Sequence, residues 1–158
     1  MRVISGLYKG RNIEGFDIDG TRPTQARVKE SLFGSIQNYI DEKIVLDLFA
    51  GSGNLGIEAL SNGAKECYFV DNNKEAINVI NNNFKNNDIK FDLVFLDPPY
   101  KDDYIDYAIS YLLENDLLND KSIIVSEFEN NIKIDYKELK ILKEKKFGYK
   151  KIVIFKKI

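Results

Sequence analysis

The residues of this chain best placed by type and spacing to do chemistry are Asp97-Pro98-Pro99-Tyr100, which follow the apolar run Phe91-Asp92-Leu93-Val94-Phe95-Leu96. A short run of aromatic and aliphatic types ended by two prolines reads as a buried strand stopped abruptly. Consecutive prolines fix φ and remove two backbone donors, so the carbonyls of Asp97 and Pro98 cannot be drawn into a following helix. What remains at the strand's carboxyl end is a carboxylate, a free carbonyl and an aromatic ring. Such a set grips a planar group bearing an amine: the oxygens accept its N–H protons and Tyr100 offers a face for stacking. A strand-terminating turn with a surface tyrosine is the less favoured reading of the same four residues.

Upstream residues add a second kind of chemistry. Lys43-Ile44-Val45-Leu46-Asp47-Leu48-Phe49 is another apolar run, followed by Ala50-Gly51-Ser52-Gly53-Asn54-Leu55-Gly56. The amphipathic stretch Ile57-Glu58-Ala59-Leu60-Ser61-Asn62 then closes on Gly63, suited to a helix C-cap. Strand, glycine-rich turn and helix make the first unit of a nucleotide-type α/β fold. Glycines there let the backbone approach a ligand that a Cβ would exclude. A third run, Glu66-Cys67-Tyr68-Phe69-Val70, ends in Asp71. That acid lies about twenty residues past the loop, where a second strand brings a carboxylate to ribose hydroxyls. Turn, acid and tetrapeptide each sit at the end of an apolar strand. In an open α/β sheet those ends line one crevice.

The elements that must position these residues follow from periodicity. Residues 1–16 read as a β-hairpin with Tyr8-Lys9-Gly10 at its turn. Residues 24–40 read as an amphipathic helix burying Val28, Leu32, Phe33, Ile36 and Ile40, with Thr24 as N-cap. Strand 44–49, helix 54–62, strand 67–71, helix 73–85 and strand 91–96 come next, then helix 104–114 and buried strand 122–128. Residues 137–146 and 149–156 alternate about Gly148 and read as a closing antiparallel hairpin. The expected fold is α/β: a Rossmann-like, mostly parallel sheet with an antiparallel C-terminal hairpin and a small N-terminal hairpin and helix. One domain over 1–158 is expected, with 1–40 as an extension and 41–158 as the cofactor-binding core.

Composition narrows the chemistry further. The chain of 158 residues has no histidine, so His-based acid–base catalysis and His-ligated metal sites are excluded. No metal is expected. The one cysteine, Cys67, lies within an apolar strand and reads as a buried, inert thiol. There is no run of eighteen apolar residues and no charged-then-apolar leader, so neither a membrane span nor a secretory signal is expected. The net charge of −2 conceals an uneven distribution. Residues 1–30 hold six basic side chains against four acids, and residues 137–158 hold nine lysines against two glutamates. Basic ends around an acidic centre suit a rim that meets phosphates and a pocket that holds a cation. Solvated lysines explain the C-terminal excess equally well.

At these residues a specific resemblance appears. Asp47-x-Phe49-Ala50-Gly51-Ser52-Gly53 resembles the S-adenosylmethionine loop of class I methyltransferases. Asp97-Pro98-Pro99-Tyr100 resembles the (D/N)-P-P-(Y/F) motif of enzymes that methylate exocyclic or amide nitrogens. Arg2-Val3-Ile4-Ser5-Gly6-x-x-Lys9-Gly10-Arg11 and Thr21-Arg22-Pro23-Thr24-x-x-Arg27-Val28-Lys29-Glu30-x-Leu32-Phe33 are similar to the opening of the RsmD-like family. The resemblance runs from residue 2 to about 85 and resumes from 91 to the end. It implies a bacterial, cytoplasmic, monomeric class I methyltransferase that acts on a guanine amino nitrogen in 16S ribosomal RNA or in a small-subunit assembly particle. S-adenosylmethionine would bind at Asp47, Phe49, Ala50, Gly51, Gly53, Asp71 and Asn72, with Asp47 near its ammonium group and Asp71 on the ribose. Asp97, Pro98, Pro99 and Tyr100 would hold the target amine, and Lys9, Arg11, Arg22 and Arg27 would meet RNA phosphates.

One departure from the family is visible. It places a further strand and helix between the expected helix 73–85 and the strand at Phe91, where this chain has only Lys85-Asn86-Asn87-Asp88-Ile89-Lys90. A crossover with its helix needs at least about ten to twelve residues. Either this chain has lost the element or, as the intact motifs around it favour, a segment is missing between Asn87 and Asp88; in both cases no adenine-binding residue can be named. Two other readings stay open: methylation of another amino nitrogen, in DNA adenine or protein glutamine, and a catalytically silent RNA-binding scaffold.

Overall fold

Four of the apolar runs become parallel strands and the lysine-rich end of the chain closes the sheet. The computed structural model describes residues 2–13, 23–71, 88–98, 103–129 and 135–158. The strands are β1 (Ile44–Leu48), β2 (Glu66–Val70), β3 (Phe91–Leu96), β4 (Leu118–Phe128), β5 (Leu139–Phe147) and β6 (Lys150–Lys157), in the sheet order β2-β1-β3-β4-β6-β5. β2, β1, β3 and β4 run parallel, and β6 and β5 complete the sheet antiparallel. This is the mixed, Rossmann-like α/β sheet that the sequence implies. From β1 the chain goes outward to β2 and then returns to β3 on the other flank. The carboxyl ends of β1 and β3 therefore face a crevice at the point where the strand order reverses, the usual ligand site of open α/β sheets.

Side chains of the parallel strands alternate between two apolar layers. Val45, Leu93, Phe95, Ile123 and Val125 pack with Val28, Leu32, Phe33 and Ile36 of α1 (Pro23–Ile36) and Ala59 of α2 (Asn54–Ser61). Leu46, Leu48, Val94, Leu96 and Ile124 pack against Ile105, Ala108, Ile109 and Leu112 of α3 (Asp103–Glu114). Both faces are covered, so the strands read as continuous apolar runs.

Several boundaries differ from the sequence reading. α1 begins at Pro23, so Thr24 lies inside the first turn and is not the cap; proline at the first helical position has preset φ and no donor to satisfy. The helix stops at Ile36, and a 3-10 turn over Gln37–Tyr39 tightens the chain so that Ile40 still reaches the core. β1 ends at Leu48 because Phe49 takes a left-handed φ of 68°. β4 starts at Leu118, earlier than expected. Asn119-Asp120-Lys121 looks like a turn, yet a register shift opposite β3 and a positive φ at Lys121 let the strand pass through it. The helix expected over 73–85, and the junction between Asn87 and Asp88, lie outside the described residues.

The N-terminal arm makes a single antiparallel bridge, Arg2 with Asn12, and no longer ladder among its described residues. It is fastened to α2 instead. The amides of Ile4 and Ser5 donate to Glu58, Leu7 N–H donates to the Ser61 carbonyl and Tyr8 N–H to Ser61 Oγ. Gly6, at φ +78°, lies so close that a Cβ there would come within 2.0 Å of the Ser61 carbonyl oxygen. Lys29 of α1 completes the clasp, 2.9 Å from Glu58 and donating also to the Arg2 carbonyl and Asn54.

Candidate active site

The crevice is formed by one row of side chains along the sheet's rim. Each continues an alternating column whose earlier members are core: Val45 leads to Asp47, Phe95 to Asp97, Val125 to Glu127, and Ile152 stands two residues after Lys150. Register aligns them. Leu96 pairs with Ser126, which sets Asp97 beside Glu127, and Glu127 pairs with Ile152 of β6. Asp47, Asp97, Glu127 and Lys150 thus come from neighbouring strands β1, β3, β4 and β6. All four line a cavity of about 500 Å³, together with the α1 residues Val28, Lys29 and Leu32 and with Phe147 and Tyr149 at the β5–β6 turn.

The β1–α2 turn forms the other wall, with Phe49, Ala50, Gly51, Ser52 and Asn54 facing the cavity. Three left-handed residues within five positions, Phe49, Gly51 and Gly53, fold the turn tightly. Left-handed Phe49 is strained; packing at 6.0 Å against the Tyr104 ring helps to hold it there. Gly53 is buried behind the turn, under Phe69, and Gly56 presses α2 onto β2, where a Cβ would meet Phe69 at 2.4 Å and the Cys67 sulfur at 2.6 Å. Asp71, exposed at the end of β2, accepts the Gly51 N–H at 2.8 Å and steadies the turn.

Electrostatically the row is short of positive charge. Asp47 is buried and accepts one hydrogen bond, from Gly56 N–H at 2.9 Å. Burial pushes its carboxyl up to about 7; the Gly56 amide opposes the rise and the charge of Asp71 adds to it. Asp97 is also held well above the carboxylate range, first by burial and then by the charge of Glu127, with Lys150 pulling the other way. Its carboxyl hydrogen-bonds Glu127. Glu127 pairs with Lys150 at 2.8 Å. For Lys150, burial is outweighed by Glu127 and the acids behind it, so the ammonium is held above its ordinary range. Cys67 is half-buried rather than fully buried as expected, and burial and the charge of Asp47 push its thiol up to about 12.

The relatives decide what kind of protein carries this row. The chain matches the family described as conserved hypothetical protein 95 over residues 1–90 and 84–156. It is 36% identical to ribosomal RNA small subunit methyltransferase D of Haemophilus influenzae, over 94% of this chain and 89% of the relative. The chain belongs to the ribosomal RNA small subunit methyltransferase D family. A candidate rRNA methyltransferase of Bacillus subtilis, YlbH, is also 36% identical, over 99% of each chain. Among solved structures, HI0767 of Haemophilus influenzae, described as a candidate methylase, superposes with a TM-score of 0.75 at 31% identity over 99% of this chain and 98% of its own. A candidate methyltransferase of Escherichia coli, yhhF, superposes with a TM-score of 0.81 at 26% identity, over 99% and 97%.

The YlbH alignment runs over 182 positions. This chain has 158 residues. About two dozen of those positions therefore face no residue here, and the family match divides at 84–90, where the sequence has no room for a strand and helix.

Within the D family frame, the structure brings together part of the expected site. Asp47, Phe49, Ala50, Gly51 and Asp97 line the cavity, and Pro98 is buried beside it. Asp71 reaches the turn but not the cavity wall, and Gly53 serves the turn from behind. Pro99, Tyr100, Asn72 and Arg22 lie outside the described residues. Lys9, Arg11 and Arg27 are exposed. A second cavity of about 360 Å³, lined by Tyr8, Arg11, Asn12 and Ser52 among others, adjoins the first, since Ser52 lines both. Sequence reasoning missed Glu127, Lys150 and Lys29. Glu127 lies within the run Ser122–Phe128, which reads as buried strand, and only the pairing of Leu96 with Ser126 sets it beside Asp97.

Proposed function

We propose that this chain is an S-adenosylmethionine-dependent methyltransferase of an exocyclic guanine amino nitrogen in 16S ribosomal RNA. The observation that carries the reading is the placement of Asp97, at the carboxyl end of β3, beside the cavity that Asp47 and the glycine turn share. The cavity's volume is within the range of cofactor sites. A desolvated carboxylate with one donor, Asp47, fits a ligand that brings positive charge, as S-adenosylmethionine does. The left-handed turn lets backbone approach it.

When bound, the cofactor supplies a methyl group on a sulfonium, whose C–S electrons stay with sulfur as the nitrogen lone pair forms the new N–C bond. The protein's share is alignment. Asp97 and the Pro98 carbonyl accept the two N–H bonds of the amine and favour a pyramidal nitrogen with its lone pair aimed at the methyl. Asp97 then takes the proton that the methylated nitrogen sheds. The target base must be unpaired or flipped to enter. Phosphates meet the exposed Lys9, Arg11 and Arg27, with Arg11 held 5.0 Å over the Tyr8 ring. The C-terminal lysines are largely engaged within the protein: Lys145 with Ser31, Lys150 with Glu127, Lys151 with Glu144 and Lys157 with the Leu118 carbonyl.

The substrate is the RNA itself or an assembling small subunit in the cytoplasm. The shortened β2–β3 connection favours one other reading, an RNA-binding scaffold without a complete cofactor site. Calorimetric titration with S-adenosylmethionine separates the two. Saturable binding at one site per chain is the expected result, and no heat at millimolar cofactor leaves the scaffold.

A further inference from the structure

Methyl transfer as described uses Asp47 and Asp97 and leaves the other half of the rim row, Glu127 and Lys150, without a task. We propose that Asp97, Glu127 and Lys150 together read the Watson–Crick edge of the target base and so select guanine; the inference rests on the methyltransferase reading above.

The row has an order. From β1 outward it runs Asp47, Asp97, Glu127, Lys150: cofactor acid, acceptor, acceptor, donor. The guanine edge runs amino N2–H, ring N1–H and carbonyl O6, which is donor, donor, acceptor. Laid along the row, N2–H meets Asp97, N1–H meets Glu127 and O6 meets the Lys150 ammonium. Neighbouring protein groups are within hydrogen-bond contact of one another, Glu127 and Lys150 at 2.8 Å, as partners of consecutive edge atoms must be. In this register the nitrogen beside Asp47, and hence beside the cofactor, is N2. The reversed register would put O6 against Asp97, acceptor to acceptor.

The other amine-bearing bases fail at one place. With the adenine or cytosine amino group at Asp97, the next edge atom, N1 or N3, is an acceptor and faces the Glu127 carboxylate. An unmatched acceptor pair in a desolvated pocket is what gives polar sites their discrimination. Phe147 and Leu32, on the same wall, offer apolar contact for the base faces.

A purely structural ion pair would be Glu127 and Lys150 alone. Here two acids, Asp97 and Glu127, hydrogen-bonded to each other, share one lysine. The two N–H groups of guanine take the place of that single hydrogen bond between the acids. An unfilled demand for donors, at the end where the base must enter, is the mark of a reading site.

The test uses a 16S fragment that the protein methylates, with the target guanine replaced by 2-aminopurine, which keeps the 2-amino group and lacks N1–H and O6. Wild-type kcat/KM should fall at least about 30-fold on the analogue, the scale of polar-edge discrimination. In Glu127→Gln and Lys150→Met, guanine transfer should drop until the preference is within about threefold, while affinity for S-adenosylhomocysteine stays near wild type. Comparable wild-type rates on both bases overturn the proposal, as do variants that keep the full preference. The wild-type comparison stands even if a variant fails to fold. No transfer to guanine at all would remove the methyltransferase reading, and this inference with it.

Discussion

Glu58 in α2 and Asp47 in β1 are both carboxylates with almost no solvent exposure, and they are answered very differently. Glu58 has Lys29 at 2.9 Å, the amides of Ile4 and Ser5, and the Ser5 hydroxyl. Burial alone would raise its carboxyl, but those donors outweigh it and hold the group below its ordinary range. Asp47 has one amide, and burial leaves its carboxyl near 7. An acid with a full set of donors is holding structure; one left short inside a cavity is waiting for a ligand. The two acids therefore should respond to neutralisation in opposite ways.

The largest loss of stability is expected at the satisfied one. Glu58→Gln leaves the Lys29 charge buried without its partner and should cost about 3 kcal/mol in denaturant unfolding. Because the folded Glu58 carboxyl is depressed, the stability it lends is complete above the unfolded value and is lost as pH falls through the folded one. The variant's deficit should shrink in acid. A deficit that stays constant with pH would mean that the clasp is not ionic.

Asp97→Ala should leave cofactor affinity nearly intact while slowing methyl transfer at least about a hundredfold, the scale of a lost electrostatic group. Single-turnover rates check it, and activity within a few-fold of wild type would mean that another group holds the amine. Asp47→Asn keeps an oxygen for the Gly56 amide and removes only the charge. Cofactor affinity should fall at least about tenfold, worth 1.4 kcal/mol. Stability should move the other way. Between pH 3.8 and about 7 the unfolded state has lost the Asp47 proton that the folded state keeps, so wild-type stability declines across that window. The asparagine variant escapes the decline and should exceed wild type at pH 8 by up to about 4 kcal/mol, with no advantage near pH 4. Equal stability at pH 8 would show that Asp47 is not the under-satisfied acid described here.

The smallest effect concerns the arm that Glu58 fastens. Neutralising Lys9 and Arg11 should flatten the log-salt dependence of RNA binding by up to about 1.5 units, at roughly 0.7 per released counterion on single strands. Cofactor binding should not change. An unaltered slope would move the RNA surface to the free faces of the C-terminal lysines.

Much of this was legible in the residues. Strand β3 matches its expected bounds residue for residue, because two prolines end it. Asp47 and Asp97 could be picked out because each sits at the end of an apolar run where a parallel strand meets its crevice. Glu127 could not, because it lies inside Ser122–Phe128, which reads as core in either register; only the alignment of Leu96 with Ser126 sets it beside Asp97. Lys150 was one of nine lysines in residues 137–158 until β6 paired with β4. The arm looked like a hairpin because Tyr8-Lys9-Gly10 is good turn chemistry. Its stability comes from Glu58 and Ser61, more than fifty positions away, which no local pattern announces.

The account stands on methyl transfer to guanine at the Asp97 end of the row. Its most direct test is nucleoside mass spectrometry of 16S RNA from a strain lacking this gene, before and after incubation with the purified protein and methyl-labelled S-adenosylmethionine. One labelled N2-methylguanosine, absent beforehand and not formed by Asp97→Ala, is the predicted result. Label in adenosine, or none in RNA while the cofactor binds, would contradict it.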